Sequence, residues 1–189
     1  DGDFVMPKYS HLNVIKRKAR DIATGQGIKL SAALEKFALE HGFNNFHELR
    51  KVANKSPNDV RLMVAAFGVR DFAEVADKME LSYEMDGFLE DELTSEMAST
   101  NASMFTAENL EVIDACYDEE TGRLTLEGSV EFNGEQDKER LYYGAGFVMD
   151  FEALLLYRQD RWEFDDENAL SVSNIISDAD LDDMPELYE

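Results

Sequence analysis

The sequence predicts an α+β fold, an N-terminal bundle of about five short helices followed by a small antiparallel β-sheet. Three observations carry that expectation. Apolar residues recur at helical spacing as far as Met79, a helical hairpin cornered on glycine recurs after 26 residues, and from Glu108 the apolar period drops to two. The expected organisation is a helical bundle at 1–80, an acidic connector at 81–106, an antiparallel β domain at 107–177 and an acidic tail at 178–189.

A first helix is expected from about Ser10 to Thr24. Leu12, Ile15, Ala19, Ile22 and Ala23 line one face, and Asn13, Lys16, Arg17, Arg20 and Thr24 cluster on another. Gly25 and Gly27 then stop it. Two further helices come from Leu30 to Val52. Leu34, Phe37, Ala38 and His41 share a face, Gly42 stands at the C-cap, and Asn45 caps the next helix with Glu48 three residues on. The same pattern returns 26 residues later: Gly68 falls on Gly42, Phe72 on Phe46, Glu74 on Glu48, and Asp71 replaces Asn45 as cap. Only three identities link Ser31–Ala53 to Pro57–Met79, so pattern rather than identity supports a repeat. Ser56-Pro57 is expected to open the fourth helix, since Ser caps well and Pro suits the first helical position.

The residues Ser31, Ala33, Leu34, Ala38, Gly42, Phe43, Asn45, Phe46 and Leu49 follow the pattern S-x-A-L-x-x-x-A-x-x-x-G-F-x-N-[FW]-x-x-L. This stretch resembles the short helical module of bacterial and plasmid-borne proteins labelled glyoxalase-related, with Phe46 where Trp is usual. The resemblance covers roughly Ser10 to Lys55. It implies a small helical domain of bacterial or mobile-element origin and no established activity. Glyoxalase chemistry itself uses His/Glu metal ligands, and no His follows His47.

Glu80 to Thr106 is acidic and rich in Ser, Thr and Met, and reads as a connector with one helix around Phe88–Met97. Leu110–Tyr117 then forms a strand that turns at Asp118–Gly122. In the next strand Leu124, Leu126, Gly128, Val130 and Phe132 alternate with Thr125, Glu127, Ser129 and Glu131. Phe147, Met149, Phe151, Ala153, Leu155 and Tyr157 share one face of a longer strand, followed by Arg161–Phe164 and Leu170–Ile176. A polar loop at Asn133–Tyr143 is the expected protrusion.

At 189 residues, 44% hydrophobic and 11% aromatic, the chain is that of a folded protein. No apolar run approaches the roughly 18 residues a membrane span needs. A single cysteine, Cys116, precludes an internal disulfide and fits a reducing, cytoplasmic setting. Met6 is the expected natural start. The net charge is −23, unevenly placed: residues 1–55 carry +4 and residues 56–189 carry −27. So acidic a body repels nucleic acid and membrane surfaces and attracts basic proteins.

The usual catalytic patterns are missing. His11, His41 and His47 all precede the β region, and Cys116 reads as a small buried hydrophobe, so no nucleophile–base pair is apparent. Too few Cys and His are present for a zinc site, and neither phosphate-binding glycine motif occurs, so no cofactor is expected. Asp178, Asp180, Asp182 and Glu189 mimic part of a calcium loop, but Asp183 stands where that loop needs Gly.

The leading expectation is a non-enzymatic interaction or regulatory protein, antitoxin-like or nucleic-acid-mimic-like. Its acidic part would bind a basic protein through Asp165, Asp166, Glu167, Asp178, Asp180, Asp182 and Asp183. The alternative is a nucleic-acid-binding regulator using Lys16, Arg17, Arg20, Arg50 and Lys51, against the field of the acidic body. A hydrolase of unrecognised type using carboxylates of the curved sheet comes third. No membrane partner is expected.

Overall fold

A computed structural model describes residues 7–141, 143–166 and 168–181. The fold is α+β: among the described residues, seven helices precede five strands of one antiparallel sheet, and a short helix follows. Two compact units divide the chain. The first comprises Asp1–Val75, Cys116–Leu124 and Leu155–Glu163; the second comprises Ala76–Ala115, Thr125–Leu154 and Phe164–Glu189.

The first unit is a helical head completed by strand ends. Helix α1 (His11–Gln26) is capped by Ser10, whose Oγ accepts from Asn13 N, and ends at Gly27 with φ +62°. It buries Leu12, Val14, Ile15, Ala19 and Ala23 and packs on α2 (Leu30–Glu40) and α4 (Val60–Phe67). Between those two lies α3 (Phe46–Lys55). His41 is half-buried and satisfied, stacked 4.2 Å from the Phe37 ring with Nδ1 2.8 Å from the Phe37 carbonyl. The cap of α4 is Asp59, which accepts from Arg61 N at 3.0 Å, and not the expected Ser56. Asp59 N donates to Ser56 O at 2.9 Å, which places Pro57 second in a tight turn, a site its fixed φ favours.

The corner of the hairpin does recur. Gly42 and Gly68 both take left-handed φ, +77° and +71°. Asn45 accepts from Glu48 N at 2.8 Å, and Asp71 accepts from Glu74 N at 3.1 Å. Glu48 reaches back to Asn44 N at 2.7 Å, and Glu74 to Arg70 N at 2.6 Å. Phe43 and Val69, each one residue past its glycine, are both buried. Six residues thus build the same reciprocal cap twice, 26 positions apart. The helices that follow differ, since α5 (Glu74–Lys78) is only half as long as α3.

The rest of the head's core comes from strand ends. Phe67 sits among Phe72, Tyr117, Tyr157 and Trp162, with ring centroids 5.0–5.8 Å from its own. Tyr157 donates its hydroxyl to Ala66 O at 3.1 Å, and Tyr117 donates to Tyr9 O at 3.0 Å. At the turn between the first two strands Gly122 has φ +73°, and a Cβ there would come within 2.9 Å of the Tyr9 ring, so glycine is required on two grounds.

In the second unit the stretch expected as a connector is mostly helical. It forms α6 (Leu81–Glu92) and α7 (Thr94–Ser99), and the first strand already begins at Ala102. Leu81, Met85, Leu89 and Leu93 recur every four residues and are all buried, giving an acidic segment one apolar stripe. Asp86 of α6 accepts from Ala107 N at 2.5 Å. The strands are β1 (Ala102–Asp118), β2 (Arg123–Gln136), β3 (Gly146–Arg158), β4 (Arg161–Phe164) and β5 (Leu170–Ser177). Their order is β1-β2-β3-β4, with β5 also on β3. Leu124, Leu126, Gly128, Val130 and Phe132 are buried as their alternation predicts, and so are Phe147, Met149, Phe151, Ala153, Leu155 and Tyr157. Strand β2 continues through Gln136, so the protruding loop starts at Asp137 rather than Asn133. Cys116 is exposed on β1, contrary to expectation, because its position in the alternation puts it on the outward side. The short α8 (Asp178–Leu181) closes the described chain.

Candidate functional site

Sorting the sequence by unit sharpens its electrostatics. The head contains 15 Lys/Arg and 14 Asp/Glu, for +1, whereas the second unit contains 3 and 27, for −24. The chain's net charge therefore resides almost wholly in the second unit.

Part of that charge lines a groove of about 370 Å³ on the outward side of the sheet. The alternation that sends Phe151 and Gly128 inward sends Glu127 of β2 and Asp150 and Glu152 of β3 outward, and β1 adds Asp114. Register decides what faces them. Strand β5 pairs antiparallel with β3 so that Ser173 lies opposite Asp150 and Ser171 opposite Glu152, with a bulge between Val148 and Asp150. Carboxylates on a sheet are commonly neutralised by a Lys or Arg directly across. Here serines hold those places, and none of the groove's lining residues is cationic.

Amides take the role of cations over this face. Asn174 Nδ2, on a residue with φ +50°, donates to Asp150 Oδ2 at 2.6 Å. Asn109 Nδ2, likewise on a left-handed residue, donates to Glu131 Oε2 at 2.8 Å, and Asn133 Nδ2 reaches the same oxygen at 3.2 Å. An amide orients a carboxylate but leaves its charge in place, so the face is structured and still anionic. Among the described residues, no three His, Cys, Asp or Glu side chains are grouped to hold a metal ion.

The acidic residues singled out from the sequence lie elsewhere. Asp165 and Asp166 occupy the bend after β4, where Asp166 accepts from Asn168 N at 2.7 Å in a local turn. Asp178 is half-buried and accepts Ala145 N with both carboxylate oxygens, each at 3.0 Å, which is a structural task. Asp180 is exposed on α8. Glu167, Asp182 and Asp183 lie outside the described residues. Of the groove's own acids, only Glu127 was marked by the alternation as outward-facing. Asp114, Asp150 and Glu152 were legible as polar strand positions, but their convergence depends on the register of β5.

The basic residues are divided as well. Arg20, Arg50 and Lys51 are exposed, Lys16 is half-exposed, and Arg17 folds toward Tyr9, its guanidinium 6.0 Å from that ring. No protein-family model matches the sequence, and neither a curated protein nor a solved structure matches it.

Proposed function

We propose that this protein is a non-enzymatic interaction module whose acidic sheet face binds a basic protein partner, in the manner of an antitoxin or a nucleic-acid mimic. One observation carries the reading: Asp114, Glu127, Asp150 and Glu152 share a groove with no cationic lining residue, Asp150 held by the Asn174 amide and both Asp150 and Glu152 faced by serines. Grouping four like charges destabilises a free protein and favours a complex that supplies the opposite sign. A nucleic-acid-binding role for Lys16, Arg17, Arg20, Arg50 and Lys51 has less support. The unit that carries them is almost neutral, and counterion release gives little affinity there.

The test is capture of binding proteins by the full chain from bacterial lysate, comparing two variants of equal charge change. One carries Asp114→Asn, Glu127→Gln, Asp150→Asn and Glu152→Gln. The other carries Glu84→Gln, Glu90→Gln, Asp91→Asn and Glu92→Gln on the exposed side of α6. The expected result is a basic protein retained at low salt by the wild type and the α6 variant and lost from the groove variant. It should elute as ionic strength passes about 0.15 M, where charges more than about 8 Å apart are screened. Equal loss from both variants would reduce the groove to general acidity and refute the proposal.

A further inference from the structure

A second opening, in the head, brings arginines and carboxylates together. A cavity of about 670 Å³ is lined by Tyr9, Arg17 and Asp21 from the start of the chain and by Arg158, Asp160 and Glu163 around the β3–β4 hairpin. Its size falls within the range of small-molecule sites. The hairpin turn is rigid: Gln159 and Asp160 both take left-handed φ, +48° and +62°, the pattern of a two-residue turn matched to strand twist.

Two guanidinium groups converge on the Tyr9 ring. Arg158 lies 4.5 Å from its centroid and is fixed by donating Nη1 to Tyr157 O at 2.9 Å and Nη2 to Thr121 O at 3.0 Å. Both acceptors are neutral carbonyls. Arg17 approaches the same ring at 6.0 Å, and its Nη2 is buried with no hydrogen-bond partner. Neither guanidinium forms an ion pair with any described carboxylate. A buried charged donor left without an acceptor is rare in folded proteins, and where it occurs an unseen ion or ligand is a recognised cause. Planar guanidinium forks match carboxylate and phosphate oxygens in particular.

We propose that this corner of the head binds a small oxyanion, a carboxylate or phosphate group, with the unpaired Arg17 guanidinium as its main partner and Arg158 as the preset second cation. The acidic side chains of Asp21, Asp160 and Glu163 share the cavity, so the site takes a ligand of low charge and rejects polyanions such as nucleic acid. This inference stands apart from the acidic groove, whose residues belong to the other unit.

The experiment titrates the full chain with sodium acetate and with inorganic phosphate, following the arginine side-chain N–H resonances, with sodium chloride at matched ionic strength as control. Saturable binding on the order of 1 mM is expected. Tighter acetate binding assigns a carboxylate ligand, and tighter phosphate binding a phosphoryl one. Arg17→Gln should weaken binding about tenfold by removing a charge-assisted bond. Asp160→Asn should tighten it about threefold, since it removes a repelling charge while Asn tolerates the left-handed turn at least as well. If Arg17→Gln fails to fold, the direction of the Asp160→Asn effect decides. Shifts no larger than those of chloride, or unchanged by Asp160→Asn, would overturn the proposal.

Discussion

Removing one hydroxyl, in Tyr157→Phe, isolates the bond between β3 and the end of α4. The Tyr157 side chain is only 1% exposed, and its hydroxyl donates to Ala66 O at 3.1 Å. That carbonyl belongs to the last turn of α4, whose end carbonyls have no partner within the helix. The phenol stays protonated well above its ordinary range because burial, and then the Asp160 charge, oppose the phenolate. Substitution by Phe keeps the ring contacts and leaves Ala66 O unpaired in a dry site, at a cost of about 1–3 kcal/mol. For a protein of this length each kcal/mol lowers Tm by about 2–4 °C, so a drop of about 2–12 °C is expected. The sole tryptophan supplies the assay. Trp162 lies 4.9 Å from the Tyr157 ring and is buried, so its fluorescence reports this cluster during urea or thermal unfolding. Tyr157→Leu should cost a further ~1–2 kcal/mol through the lost edge-to-face contact with Phe67 and tilted contact with Trp162. A Tyr157→Phe protein within about 0.3 kcal/mol of wild type would show that water satisfies the carbonyl, and the dry core inferred here would be wrong.

His11 predicts a pH effect. Burial holds its pKa below the ordinary 6.5, although Glu119, 2.8 Å from Nδ1, works in the other direction. The unfolded chain therefore takes up a proton near pH 6.5 before the folded one does. Stability from this residue is complete above that pH and declines as pH falls from it toward the lowered folded value. Urea midpoints between pH 8 and 5.5 should fall for wild type more than for His11→Gln, and parallel curves would contradict the assignment. The twin caps make a third case: Asn45→Ala and Asp71→Ala should each cost about 1 kcal/mol and add when combined, because each serves its own corner. A combined loss far from the sum, read by circular dichroism melts, would mean the two corners are coupled.

The features legible from sequence are those a short window contains. The buried faces of α1, β2 and β3 follow from local periodicity, and the duplicated corner from Gly42, Asn45 and Glu48 and their counterparts. Leu81, Met85, Leu89 and Leu93 carried an equally local signal for α6, obscured by the acids and hydroxyls between them. Other features depend on distant pairings. Nothing near Cys116 says which way its strand faces, and only the β3–β5 register brings Ser171 and Ser173 opposite Glu152 and Asp150. The cavity by Tyr9 joins residues about 150 positions apart, which no motif anticipates.

The borrowing of strand ends by the head sets an order of events during synthesis. Residues to Val75 emerge with Met63 and Phe67 ready for burial, but Tyr157 and Trp162, which complete that core, come almost ninety residues later. At roughly 5–20 residues per second the nascent helices wait about 4–18 s for them, with apolar surface open to chaperones. Ribosomes stalled short of residue 163 should hold a protease-sensitive head, and cutting the gene near codon 80 is the wrong way to obtain one.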